Sequence, residues 1–288
     1  DTVAESVPSL GAFDHFVVGV KAADVEFPAR FDAATMQVEG IGRIVVIDTT
    51  DEFTAVGSLS AGLAGKTGLL VAGDRSRLIT LPETGSATHR VDRRLEVDLA
   101  PDGFAAMTLT TRLTGVYASS ARRLHASSSV HFRDAVERRL RERWADATID
   151  LLDVETEDES GRFVWTAAIH VPHVGDGSRS IEIFPGAMNE IPRVSVRRRE
   201  SAVRLRFGNG LRYETTIRGV PDDRSIDVDP YDERGDGWAV RATAERDGTT
   251  VRANWEVELD RLDFDVDAFD ELRRLLNAAR RSAQATVD

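Results

Sequence analysis

The chain has 288 residues, 41% of them hydrophobic and 30% charged, with a formal net charge of −12 and no cysteine. That is enough chain for one large core or two smaller ones, and its acidity argues against nucleic acid as a partner, because phosphate binding needs a basic face. The lack of cysteine excludes disulfides, thiolate metal sites and a thiol nucleophile within these residues, and no apolar run approaches the roughly 20 residues of a membrane-spanning helix.

Positive charge is carried almost wholly by arginine, lysine occurring only at Lys21 and Lys66. The basic runs Arg122-Arg123, Arg138-Arg139 and Arg197-Arg198-Arg199 sit beside acids or in alternating patterns and read as solvated faces. The first residue is Asp1, and no basic start followed by an apolar stretch is present, so no signal peptide is read. The expectation is a chain that was processed, cut, or read from an incomplete gene.

Taken in order, Phe16–Val20 and Ile44–Ile47 are brief and β-branched and predict buried strands. Lys21 to Gly42 is polar, contains Pro28 and Gly40, and reads as a long loop. Leu69–Ala72 predicts a third buried strand. From Arg90 the pattern changes: Val91, Leu95, Val97 and Leu99 lie at alternate positions, Pro101-Asp102-Gly103 marks a turn, and Ala105 to Leu113 continues the alternation, as in an antiparallel hairpin with one buried face. A helix is predicted near 130–144, with Ser129 as N-cap and Phe132, Val136, Leu140 and Trp144 along one stripe.

Between Gly161 and Trp255 the expected strands are Phe163–Ile169, Ser180–Ile183, Val194–Val196, Val203–Phe207, Tyr213–Ile217, Trp238–Ala242 and Val251–Val257. Asn209-Gly210 and Asp247-Gly248 are read as turns, and the whole as an antiparallel sandwich. A closing helix near 266–281 carries Phe269, Leu272, Leu275, Leu276 and Ala279 on its apolar stripe, with Asp265 or Asp267 as cap. The tail from Ser282 is expected to fray or to return as a short strand. The best boundary falls in the turn-rich stretch between Gly73 and His89, giving units of 1–76 and 77–288.

Two polar residues lie at the ends of buried strands near the start. Phe13-Asp14-His15 leads into the first, and Asp48, followed by Thr49-Thr50, ends the second. If the strands pair, His15 and Asp48 reach one pocket at the sheet rim. An imidazole can take a proton from a nucleophile while a carboxylate on its far nitrogen fixes the tautomer and stabilises the imidazolium. Other candidates are weaker. His170 and His173 lie on opposite faces of a strand, with no third ligand evident. Glu155–Glu159 and Asp227–Asp236 read as solvated acidic loops. Ser127–Ser129 is not a nucleophile elbow, and Gly208-Asn209-Gly210 is a turn without the Lys-Ser/Thr of a phosphate loop.

FDHFVV and VVIDTTDEF, followed by GSLSAGLAGKTGLLV, resemble the second half of the papain-like core of the bacterial transglutaminase-like envelope proteins. The similarity extends to RVDRRLEVDLAPDGFAAMTLTTRLTGVYASSARR and LDFDVDAFDELRRLLNAA. The resemblance implies that His15 is the base and Asp48 the orienting acid of a Cys-His-Asp triad whose cysteine is absent here. The fold it implies is α+β, predominantly β: an incomplete papain-like half-core at 1–76, then an antiparallel sandwich-like region with two helices. The activity it implies is cysteine-dependent peptidase, amidase or acyl-transfer chemistry on protein or peptide, without cofactor or metal, in the periplasm or cell envelope. The alternative is a non-catalytic module that binds envelope protein or glycan.

Overall fold

The computed structural model describes residues 13–22, 27–157, 161–172, 181–194, 196, 198–228 and 230–287. Parts of several expected features lie outside them: residues 23–26 of the first loop, 158–160 of the acidic run, His173, Ser180, Ser195 and Arg197. The chain is mostly strand, with several sheets and few helices, as an α+β protein weighted to β.

The N-terminal unit is a three-stranded antiparallel sheet in the order β1-β3-β2, formed by β1 (Val18–Lys21), β2 (Thr35–Val38) and β3 (Gly42–Ile47). The stretch expected as one long loop therefore contains a strand, preceded by a 3-10 turn at Ala29–Ala34. Thr35, Met36 and Val38 suit a pleated surface, but the run is only four residues and is masked in the sequence by its polar flanks. The core of this unit is small, built on Phe31, Val45, Val46 and Leu59. Next comes a separate hairpin, β4 (Thr67–Leu70) with β5 (Arg77–Thr80). It crosses the boundary expected after residue 76. The strand expected as buried at Leu69–Ala72 is half-buried at most, and Val71 is exposed.

The rest is organised by one eight-stranded sheet. Its members are β6 (Arg90–Leu99), β7 (Ala105–Leu113), β8 (Thr148–Glu157), β9 (Arg162–Val171), β12 (Asn209–Arg218), β14 (Tyr231–Gly235), β15 (Trp238–Asp247) and β16 (Thr250–Leu259). The order is β14-β15-β16-β12-β6-β7-β9-β8, antiparallel except for the central β12–β6 pair. Short pairs lie off it: β10 (Ile181–Glu182) and β13 (Ile226–Asp227) flank β18 (Thr286–Val287), and β11 (Val203–Arg204) pairs with β17 (Asp263–Phe264). The tail thus returns as a central strand rather than fraying.

The strand period sends alternate side chains to one face. Leu211 faces Val91 on one side and Val257 on the other, and Tyr213 faces Trp255, so one side of the sheet is largely apolar, with Arg93 set into it opposite Tyr213 and bonded to the Tyr213 hydroxyl and to Glu190. The opposite side is laced with ion pairs such as Arg94–Glu214 and Arg218–Glu96.

The apolar side is covered by helices together with the short β10-β18-β13 and β11-β17 sheets, whose Ile181, Val287 and Phe264 join the same core, so the opposing layer is mixed rather than the all-strand face of the expected sandwich. The helices of this layer are α1 (Gly115–Ser127), α2 (Ser129–Arg143), the short α3 (Ala187–Glu190) and α4 (Phe269–Ser282). Alternation in the strands demands a buried face but does not specify what buries it. α2 is capped by Ser128, whose hydroxyl accepts from the His131 amide at 3.1 Å, one residue before the expected cap. α4 buries Phe269, Leu272, Leu275 and Ala279. Ahead of it the Asp265 carboxylate accepts from the Ala268 amide at 2.7 Å.

Two further expectations are corrected. Asn209-Gly210 begins β12 instead of turning: a Cβ on Gly210 would lie 2.5 Å from the Ser86 carbonyl oxygen, and one on Gly208 would lie 2.7 Å from the Gly85 backbone. The glycines permit two backbones to cross closely. The acidic run at 227–236 supplies β14, not a loop, and there Asp232 pairs with Arg234 and Arg241.

Candidate active site

The pairing of β1 with β3 sets Val18 opposite Ile47 and Val20 opposite Val45. Asp48 follows directly on β3, and His15 lies in the extended lead-in to β1, so the antiparallel register brings residues 33 positions apart to one rim. His15 Nε2 lies 3.0 Å from Asp48 Oδ2. The other carboxylate oxygen, Oδ1, accepts the Thr50 amide at 3.0 Å and the Thr50 hydroxyl at 2.7 Å. The Thr50 hydroxyl oxygen also lies 3.4 Å from His15 Nε2.

Each contact follows from elementary chemistry. A carboxylate at the end of a strand readily accepts from the backbone amide two residues on, forming a local turn that fixes its rotamer. That turn spends Oδ1 and leaves Oδ2 for the imidazole. An ionised carboxylate only accepts, so the neutral ring carries its proton on Nε2 and holds a lone pair on Nδ1. Among the described residues Nδ1 has no hydrogen-bond partner.

The Asp48 side chain is 4% exposed, whereas that of His15 is 35% exposed. Burial alone would raise the Asp48 pKa, but the Thr50 hydroxyl, the Thr50 amide and His15 outweigh it and hold the carboxyl below its ordinary value. The result is an ionised, shielded acid behind an accessible base.

Thr50 is the member of this cluster that sequence reading missed as a site residue. Its signal was the i, i+2 spacing from an aspartate at a strand end, a common turn pattern that carries no functional mark of its own.

The surroundings are unusual for a strand edge. Phe16, Val18 and Val20, expected in a buried strand, are instead 74%, 48% and 40% exposed, an apolar row running from beside His15 along β1, the outer strand of its sheet. On the far side, the segment after Thr50 is fastened to the large unit. Arg123 reaches Asp51 Oδ1 at 3.1 Å and lies over the Phe53 ring, and Arg122 donates to the Phe53 and Arg162 carbonyls, both at 3.1 Å.

The other histidines fall elsewhere. His170 pairs with Asp150 at 2.9 Å on the exposed face of the large sheet. His125 is packed edge-on to Phe132 and Phe163. Among the described residues no group of three or more His, Asp or Glu side chains is placed to hold a metal, and no helix is long and apolar enough to cross a membrane.

A second histidine, His89, is wholly buried and was not anticipated as more than a boundary marker. Its Nδ1 accepts the Val116 amide at 3.1 Å, so Nε2 carries the proton and faces Thr84 Oγ1 at 2.7 Å. Burial pushes its pKa down to about 4. Both nitrogens are engaged and closed to solvent, which makes His89 a structural residue in contrast to His15. No family model, curated protein or solved structure matches this chain.

Proposed function

We propose that His15 and Asp48 are the base and orienting acid of a thiol-dependent acyl-transfer site of the transglutaminase-like kind, with Thr50 positioning the acid. The observation that carries this reading is the His15–Asp48 contact of 3.0 Å on Nε2, with the accessible Nδ1 left to face a nucleophile. In that arrangement Nδ1 takes the thiol proton, and the buried carboxylate stabilises the imidazolium that results. The thiolate then attacks an amide carbonyl of protein or peptide, and the imidazolium returns its proton to the departing amine. No cofactor enters this chemistry.

The 288 residues contain no cysteine, so in this reading the nucleophile comes from chain outside them or from a partner. The apolar row of Phe16, Val18 and Val20 supports that arrangement, because a covering element would remove it from water while bringing a side chain to the His15 rim. By the resemblance, the setting is the bacterial cell envelope.

The test uses the full natural chain. An upstream cysteine should react with iodoacetamide at pH values well below the ordinary thiol pKa of about 8.5, and His15→Ala should return its pH profile to the ordinary range while abolishing amide cleavage or transfer. Asp48→Ala should act in the same direction. A natural chain without such a cysteine that also shows no thiol-dependent amide cleavage or transfer with its co-purifying partners, or a cysteine whose alkylation profile ignores His15→Ala, would overturn the reading.

A further inference from the structure

A cleft of about 930 Å³ lies between the segment that follows Thr50 and the large unit. Residues 51–66 form one wall, and α1 with residues 204–207 forms the other. Its size is that of small-molecule sites, which run to roughly 1,000 Å³. Among the described residues its charged lining is Lys66, Arg122, Arg123, Arg204 and Arg206 against Asp51 alone. The chain as a whole has 49 acids and 37 Lys and Arg residues, so the cleft inverts the balance of the molecule.

Some of these cations are already engaged. Arg123 pairs with Asp51, Arg204 lies 3.6 Å from Asp263, and Arg122 ties the walls together through backbone carbonyls. Lys66 and Arg206 differ: both are exposed, and neither has an ion-pair partner among the described residues. Like charges gathered in a concavity repel one another, and low-dielectric walls focus their field, so the arrangement is relieved by a bound anion.

We propose that this cleft binds a small polyanion, a molecule bearing two or more phosphate or carboxylate groups, with Lys66 and Arg206 as its principal contacts. A long polyanion such as nucleic acid is disfavoured by the net charge of −12, which repels whatever extends beyond the cleft. This inference stands independently of the acyl-transfer reading, since it requires no nucleophile and involves neither His15 nor Asp48.

The experiment is calorimetric titration of the 288-residue chain with inorganic pyrophosphate and, separately, with citrate, at low salt and at 0.15 M NaCl as a physiological reference. One-to-one binding of at least one probe is expected. Pyrophosphate alone would assign a phosphorylated ligand, citrate alone a polycarboxylate. The double variant Lys66→Ala, Arg206→Ala should lose tenfold or more in affinity, while Arg138→Ala, Arg139→Ala on the exposed face of α2 should bind as the parent does.

As a check that needs no substitution, amide resonances of the parent chain that shift on adding the probe should be confined to residues 51–66, 115–127 and 204–207. Three results would overturn the proposal: neither probe binding below about 1 mM, equal loss in both double variants, or shifts spread over the open face of the large sheet.

Discussion

The two histidines that matter most differ in what surrounds their nitrogens. His89 is held neutral, with a folded-state pKa near 4 against 6.5 for the free side chain. Between those values the unfolded chain binds more protons than the folded one. The stability tied to His89 is therefore complete above pH 6.5 and is lost as pH falls through 4, by up to about 3 kcal/mol. Urea midpoints should drop between pH 7 and pH 4.5, and His89→Asn should start lower and show a flatter profile.

Its neighbour Gly115 is equally constrained. At φ +55° a Cβ would lie 2.2 Å from His89 Nδ1 and 2.5 Å from the Thr88 carbonyl oxygen. Gly115→Ala should cost roughly 2–4 kcal/mol in denaturant unfolding, from left-handed strain and overpacking together. Of these residues, His15 and Asp48 were legible in the sequence because each sits at the end of a short β-branched run. Thr50 and His89 were not, since a threonine in a turn and a histidine before a strand look the same whether or not their side chains are engaged.

At the scale of elements, most of the long strands and the closing helix could be read directly, because near ten-residue alternation and a four-residue stripe persist over many positions. β2, β8 and α1 escaped. α1 follows a strand without a side-chain cap and buries only Ala118 fully, so it offers no strong periodic signal. Its importance lies in its arginines. Arg122 donates to the carbonyls of Phe53 and Arg162, linking the segment after Asp48 to β9. Arg122→Met keeps most of the stem and removes both bonds. It should speed hydrogen exchange at residues 51–66 by tenfold or more, about 1–2 kcal/mol, while leaving β12 and β16 unchanged.

For the whole molecule, the unequal cores set the order of unfolding. The large sheet is backed by Trp255, Tyr213, Phe163 and Phe264, all with almost no exposure, whereas the N-terminal sheet rests on the small cluster around Phe31 and Leu59 and leaves β1 at an open edge. Native-state hydrogen exchange should show residues 13–80 opening well before β6, β12 and β16. Matching protection across both units would mean that the N-terminal sheet is as firmly held as the large one. The layer arrangement itself was hidden from the sequence, because a one-sided sheet writes the same alternation into its strands whether another sheet or a set of helices lies against it.

The scarcity of lysine has a practical consequence. Lys21 lies on the outermost strand of the N-terminal sheet and Lys66 at the wall of the basic cleft, and no other side chain in the 288 residues carries a primary amine. An amine-directed fluorophore therefore attaches to side chains only at these two places. Arg replacement of either lysine leaves a single side-chain reporter, so the edge strand of the N-terminal sheet and the cleft beyond Thr50 can each be watched separately by the emission of one dye.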